Sequence, residues 1–142
     1  MNVEPSRKHS ILVVEDDPDF SALLQSVLQE DDYQVAVAHN GEEAFQYMKI
    51  TKPDLITLDI HMPKQSGLFF YRKIKSTYEF MEIPVIVVTG LMRNDRDMNL
   101  MIRSFLETEH IPVPNAYFDK PLDEQRLLQK VNEILHPSSN TV

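Results

Sequence analysis

Five short apolar runs alternate with five helical patterns along this chain. The runs are "SILVVE" (10–15), "YQVAVAH" (33–39), "DLITLD" (54–59), "IPVIVVTG" (83–90) and "NAYFDKP" (115–121). The first is short, rich in β-branched residues and apolar on both faces, which is how a buried strand reads. After it, Asp17 suits an N-cap and Pro18 the first helical position. Phe20, Leu23, Leu24, Val27 and Leu28 then recur at the spacing of an amphipathic helix. Asn40 and two acids open a second helix over 40–50. A third is expected over 66–80 with Ser66 as its cap. A fourth falls within 95–109 and carries Met98, Met101, Ile102 and Phe105. A last covers 122–135, with Leu127, Leu128, Val131, Ile134 and Leu135 on one face.

Repeated β-then-α units predict a parallel sheet, because parallel strands need crossovers and right-handed ones are strongly favoured. The fold expected is a doubly wound α/β sandwich, a five-stranded parallel sheet with helices on both faces. The alternation does not fix strand order, and the flavodoxin-like order 2-1-3-4-5 is the common five-strand solution. The size of 142 residues suits one domain, expected over 10–136, with a disordered lead (1–9) and a flexible tail (137–142). Fourteen Lys and Arg stand against 22 Asp and Glu, and the densest cationic patch is Arg72, Lys73 and Lys75. Direct nucleic-acid binding is therefore not expected. With no cysteine, disulfides, thiolate chemistry and Cys-ligated metals are excluded. No apolar run approaches membrane-spanning length, and the polar start "MNVEPSRKHS" lacks a signal-peptide core, so a cytoplasmic chain without membrane insertion is expected.

In sheets of this type, sites form at the carboxyl ends of the strands. Those ends carry chemistry here: Glu15, Asp16 and Asp17 after the first strand, Asp59 after the third, Thr89 on the fourth and Lys120 on the fifth. Carboxylates gathered at one edge would repel each other and raise one another's pKa. A hard divalent cation resolves that, and an all-oxygen set without Cys favours Mg²⁺, or Mn²⁺, over Zn²⁺. A carboxylate beside such an ion, with a hydroxyl and an ammonium nearby, suits phosphoryl transfer with Asp as the nucleophile. Each residue alone has a blander reading. "EDDP" is often only a helix start, Thr89 a strand-end hydroxyl, Lys120 a solvated lysine and Asp59 a loop cap. The joint arrangement is what those readings do not explain.

The stretches "ILVVEDDP", "DLITLDIHMPKQSG", "IPVIVVTG" and "YFDKP" together resemble a response-regulator receiver domain of two-component signalling, over about residues 9–136. The resemblance implies that Asp59 is the phosphoacceptor and that Asp16 binds the metal directly. Glu15 acts through water, and the main-chain carbonyl of His61 completes the metal shell. It implies that Thr89 is the switch hydroxyl, Lys120 the phosphate-binding lysine and Tyr117 the aromatic that reorients on activation. The Lys120–Pro121 bond would be cis, and Gly67 holds the turn position after "MP". A histidine kinase or histidine phosphotransfer protein would donate the phosphoryl group, and an unidentified downstream protein would read the switch. The His61 side chain is expected to face the mouth of the site. With Leu91 it would tune the lifetime of the acyl phosphate.

One departure stands out. The segment between Thr89 and Lys120 is longer than the family's usual one, with "HIPVPNA" before strand five, so the α4/β5 region is expected to be extended. Met92, Met98, Leu100 and Met101 could form an adaptable partner surface there, or a core-facing stripe. No output domain is expected after the last helix, so protein–protein contact is the expected output and no separate enzyme activity is expected. The sequence also suits a piece of a larger protein. Two other classes share parts of this pattern. A pseudo-receiver would bind partners without phosphorylation but would lack part of the constellation, and none is missing. A haloacid-dehalogenase-like phosphohydrolase wants a second acid two residues after its nucleophile, where this chain has His61.

Overall fold

The computed structural model describes residues 8–60, 62, 67–90 and 103–137. The strands are β1 (Ser10–Val14), β2 (Gln34–Ala38), β3 (Leu55–Leu58), β4 (Val85–Thr89) and β5 (Ala116–Asp119). The helices are α1 (Pro18–Glu30), α2 (Gly41–Ile50) and α3 (Gly67–Lys75), a stretch over 103–108 (α4), and α5 (Glu124–Leu135). All strand pairs are parallel, in the expected order β2-β1-β3-β4-β5.

The alternation of side chains along each strand builds two cores. Leu12, Val14, Ile56, Leu58, Val85 and Val87 point to the side covered by α2, α3 and α4. Ile11, Val13, Leu55, Ile86 and Val88 point to the side covered by α1 and α5. Both sets are buried, which is why the central strands carry no polar alternation.

The helix starts follow local chemistry. Asp17 caps α1 by accepting from the backbone N–H groups of Asp19 and Phe20, and Asn40 caps α2 by accepting from that of Glu43. Two expectations need correction. Leu23, placed by periodicity on the apolar stripe of α1, is 39% exposed. Ser21 is buried in that turn instead, its hydroxyl donating to the Pro18 carbonyl. The third helix stops at Lys75 rather than running to residue 80. The hydroxyls of Ser76 and Thr77 donate back to the Arg72 and Lys73 carbonyls at 2.8 Å, competing for the last turn. The Lys75 ammonium reaches the carbonyls of Met81 (3.1 Å) and Ile83 (2.7 Å) and gathers residues 76–83 into a turn. Ser66 lies outside the described residues, as do Met92, Met98, Leu100, Met101 and Ile102.

The described part of the lengthened region is tied to α3 and β4. The Ile111 N–H donates to the Leu106 carbonyl, with His110 at φ 59. Tyr71, fully buried on α3, donates its hydroxyl to the Pro112 carbonyl at 2.6 Å. Asn115 pairs with Val85 through both main chain and side chain. Burial, aided by Tyr117, holds the Tyr71 phenol well above the usual tyrosine range.

A raised folded pKa means that Tyr71 contributes stability fully below the unfolded value and loses that contribution as pH rises past it. Tyr71→Phe is expected to cost about 1 kcal/mol at neutral pH through the lost hydrogen bond. Above about pH 10 the wild type pays for keeping the phenol protonated and the variant does not. Denaturant titrations at pH 7.5 and 11 should therefore show the gap narrowing or reversing. A gap that widened would contradict this burial.

Candidate active site

The carboxyl ends of β1, β3, β4 and β5 meet at one edge of the sheet. Backbone ladders fix them there. The Glu15 N–H donates to the Ala38 carbonyl, the Asp59 N–H to Val14, and the Lys120 N–H to Thr89 at 3.3 Å. Thr89 is fully buried, and the Lys120–Pro121 peptide is cis, as the resemblance implied.

Glu15 and Asp59 are both buried carboxylates, 1% and 5% exposed. The Lys120 ammonium lies between them, 3.0 Å from Glu15 Oε1 and 3.3 Å from Asp59 Oδ2. Burial, joined by the Asp59 charge, pushes Glu15 up to about 7, although the Asp17 N–H and Lys120 pull the other way. Burial also works against the charge on Lys120, but Glu15 and Asp59 outweigh it and hold that pKa above its ordinary value. The ammonium is therefore a fixed positive charge at neutral pH.

Each of Glu15, Asp16 and Asp59 offers a carboxylate oxygen, and these oxygens lie within 4.8 Å of one another. An all-oxygen set of acids, two of them buried, carries more negative charge than one ammonium offsets. That donor chemistry fits a small hard dication. Asp17, the remaining acid of the run, has its carboxylate committed to the α1 cap and its N–H donated to Glu15 Oε2 at 3.1 Å.

Of the residues singled out in the sequence, Glu15, Asp16, Asp59, Thr89 and Lys120 converge at this edge. Tyr117 is half-buried on β5, packed into the core of the α2–α4 side. His61 and Leu91 lie outside the described residues. The sequence places one neighbour only on the apolar stripe of α1. Phe20, in the first turn of α1, lies with its ring 4.4 Å from the Lys120 ammonium. Its third place after the Asp17 cap, beside the strand ends, was the available signal. A separate groove lies between Asp31, Asn132 and His136, and the carboxylate–ammonium cluster rather than a cavity marks the site.

Comparison with known families matches residues 11–132 to the response regulator receiver domain. This chain belongs to that family. The receiver is 32% identical over 113 residues to a protein-glutamate methylesterase/protein-glutamine glutaminase of Vibrio vulnificus, covering 78% of this chain and 32% of that protein. It spans half or less of the length of this and similar curated relatives. Among solved structures, it superposes on the signal receiver domain of a Syntrophus aciditrophicus histidine kinase with TM-score 0.79 and 28% identity, covering 94% of this chain and 95% of that one. It matches the Thermotoga maritima response regulator TrrA with TM-score 0.70 and 29% identity, covering 89% and 98%. The TrrA crystal contained a complex with Mg²⁺ and beryllium fluoride. Among the described residues, no helix of this receiver is long and apolar enough to cross a membrane.

Proposed function

We propose that this receiver accepts a phosphoryl group on Asp59 from the phosphohistidine of a sensor kinase or histidine phosphotransfer protein. The observation that carries this reading is the buried Asp59 carboxylate held 3.3 Å from the Lys120 ammonium, with Glu15 and Asp16 beside it. In the transfer, an Asp59 oxygen bonds to phosphorus as the phosphorus–nitrogen bond of the donor breaks, and the imidazole keeps the electron pair. Lys120 follows the charge from the carboxylate to a phosphoryl oxygen. Thr89, buried at the end of β4, donates its hydroxyl to another and draws β4 toward the site. Glu15, Asp16 and Asp59, with the His61 main-chain carbonyl, would hold Mg²⁺ or Mn²⁺, which neutralises charge on the phosphoryl oxygens when bound.

The switch follows from where these side chains sit. By strand alternation, Glu15, Asp59 and Lys120 belong to the α1/α5 side, and Thr89 and Tyr117 to the side covered by α4. A pull on Thr89 is thus felt under α4, where Phe105, Leu106, Ile111 and Tyr117 share one core. A shift there would change the α4–β5–α5 face that a downstream protein reads.

Incubation with Mg²⁺ and acetyl phosphate is expected to give one alkali-labile phosphoryl adduct per chain, absent in Asp59→Asn. Continuous turnover of phosphate esters would instead favour a phosphohydrolase. The absence of either would favour a phosphorylation-independent binding module.

A further inference from the structure

We propose that Phe20 is a positioning residue for the phosphoryl transfer, its ring face holding the Lys120 ammonium at the edge of the carboxylate cluster. The inference rests on the phosphoacceptor reading of Asp59.

The ring is placed by the same run of residues that supplies the acids. Asp17 Oδ1 accepts from the N–H groups of Asp19 (3.0 Å) and Phe20 (3.5 Å), and Pro18 sits at the start of the helix. This fixes the first turn of α1 directly beside Glu15. From the other side, Lys120 leaves β5 with its N–H on the Thr89 carbonyl. Its ammonium then stands 4.4 Å from the Phe20 centroid, 3.0 Å from Glu15 and 3.3 Å from Asp59. Phe20 is half-buried and packs against the α1/α5 core. A core role alone would be served as well by leucine or methionine. What an aromatic adds is the negative face of its ring quadrupole, which attracts a cation.

That attraction suits this reaction better than another carboxylate would. Before transfer, the ammonium is shared by Glu15 and Asp59. During transfer the Asp59 oxygen becomes part of an acyl phosphate, and the charge Lys120 follows moves outward. The ring contact does not depend on the charge of Asp59, so it holds the ammonium through the change. It takes no proton and neutralises no charge, so Lys120 stays fully positive for the phosphoryl oxygens.

The test measures the rate of adduct formation from acetyl phosphate with Mg²⁺ in wild type, Phe20→Leu, Phe20→Tyr and Phe20→Trp, with a melting temperature for each. In this assay an Asp59 oxygen bonds to phosphorus, the bond to the acetyl oxygen breaks, and acetate leaves with the electron pair. A small donor keeps partner docking out of the measurement. Phe20→Leu is expected to be roughly three- to tenfold slower, at a melting temperature close to wild type, while Tyr and Trp restore the wild-type rate or exceed it. Leu reacting as fast as wild type would overturn the proposal. So would rates that simply track melting temperature across the series. An adduct in wild type with no effect at position 20 would sink this inference alone. No adduct even in wild type would remove the phosphoacceptor reading and this inference with it.

Discussion

Lys120→Met is expected to slow phosphorylation of Asp59 by roughly 10²- to 10³-fold, the loss typical of removing a preorganised group that stabilises charge in the transition state. The methionine keeps most of the aliphatic stem packed and removes only the charge. Two buried carboxylates then face each other without their shared ammonium. Breaking a buried ion pair typically costs about 3–5 kcal/mol, because a charge is left uncompensated. The cost here should be smaller, because Glu15 can take up a proton. Its pKa is already about 7, with burial and the Asp59 charge as the raising causes, and Lys120 is one of the influences holding it down. Without Lys120 it rises further, and at neutral pH Glu15 becomes neutral. We expect a stability loss of about 1–3 kcal/mol at pH 7 on that basis. A raised folded pKa in an acid means that stability falls as pH climbs from the unfolded value toward the folded one. The variant should therefore lose more stability than wild type between pH 7 and 9. Mg²⁺ should rescue it more strongly there, since the dication no longer competes with an ammonium. Denaturation curves at several pH values with and without Mg²⁺, beside the acetyl phosphate rate, check all three expectations. A variant phosphorylated at the wild-type rate would remove Lys120 from the mechanism.

Much of this fold was legible because its signals are local. "SILVVE" and "IPVIVVTG" read as short β-branched strands buried on both sides, and the Asp17 and Asn40 caps sit where the residue types put them. The misread positions depend on competition or tertiary choice. Helical periodicity runs on past Lys75, but Ser76 and Thr77 turn their hydroxyls back on the helix while Lys75 is recruited by the carbonyls of Met81 and Ile83 further along the chain. Leu23 is exposed and Ser21 buried because burial on α1 depends on what packs against it, which periodicity alone does not specify. In the site, Glu15, Asp59 and Lys120 were legible as strand-end polar residues. The distances between them follow from strand order, which no single strand encodes. Phe20 was hidden for a further reason. An aromatic on an apolar stripe reads as core, and its second role exists only once Lys120 arrives from 100 residues away.

Gly67→Ala is expected to be among the most damaging single-methyl changes in the chain. A Cβ at this position would collide with the Asp59 carbonyl oxygen and lie 2.7 Å from Ile60 Cα and 2.9 Å from the Ile60 oxygen. All three are backbone atoms, so no rotamer change makes room. The backbone of Gly67 is not in the left-handed region, so what the position requires is close approach rather than conformational freedom. Its N–H donates to the Ile60 carbonyl at 2.8 Å, locking the start of α3 onto the segment that carries Asp59. Alanine would gain up to about 1 kcal/mol of helix propensity over glycine. The overpacking should outweigh it and leave a net loss of roughly 2–3 kcal/mol, or about 4–12 °C in melting temperature at this size. The relieving movement must push Asp59 and Ile60 away from α3, and the Asp59 carboxylate moves with them relative to Lys120. A displacement near 1 Å is worth about 10²-fold in rate where geometry carries the chemistry. Adduct formation should therefore fall steeply even at temperatures where the variant is fully folded. Gly90 supplies the control, because among the described residues a Cβ there meets nothing within 4 Å. Gly90→Ala should leave the melting temperature within about 2 °C of wild type or raise it slightly, since the unfolded chain loses freedom. Equal stability and equal rates in the two alanine variants would mean that α3 does not press on the segment that carries Asp59 as described.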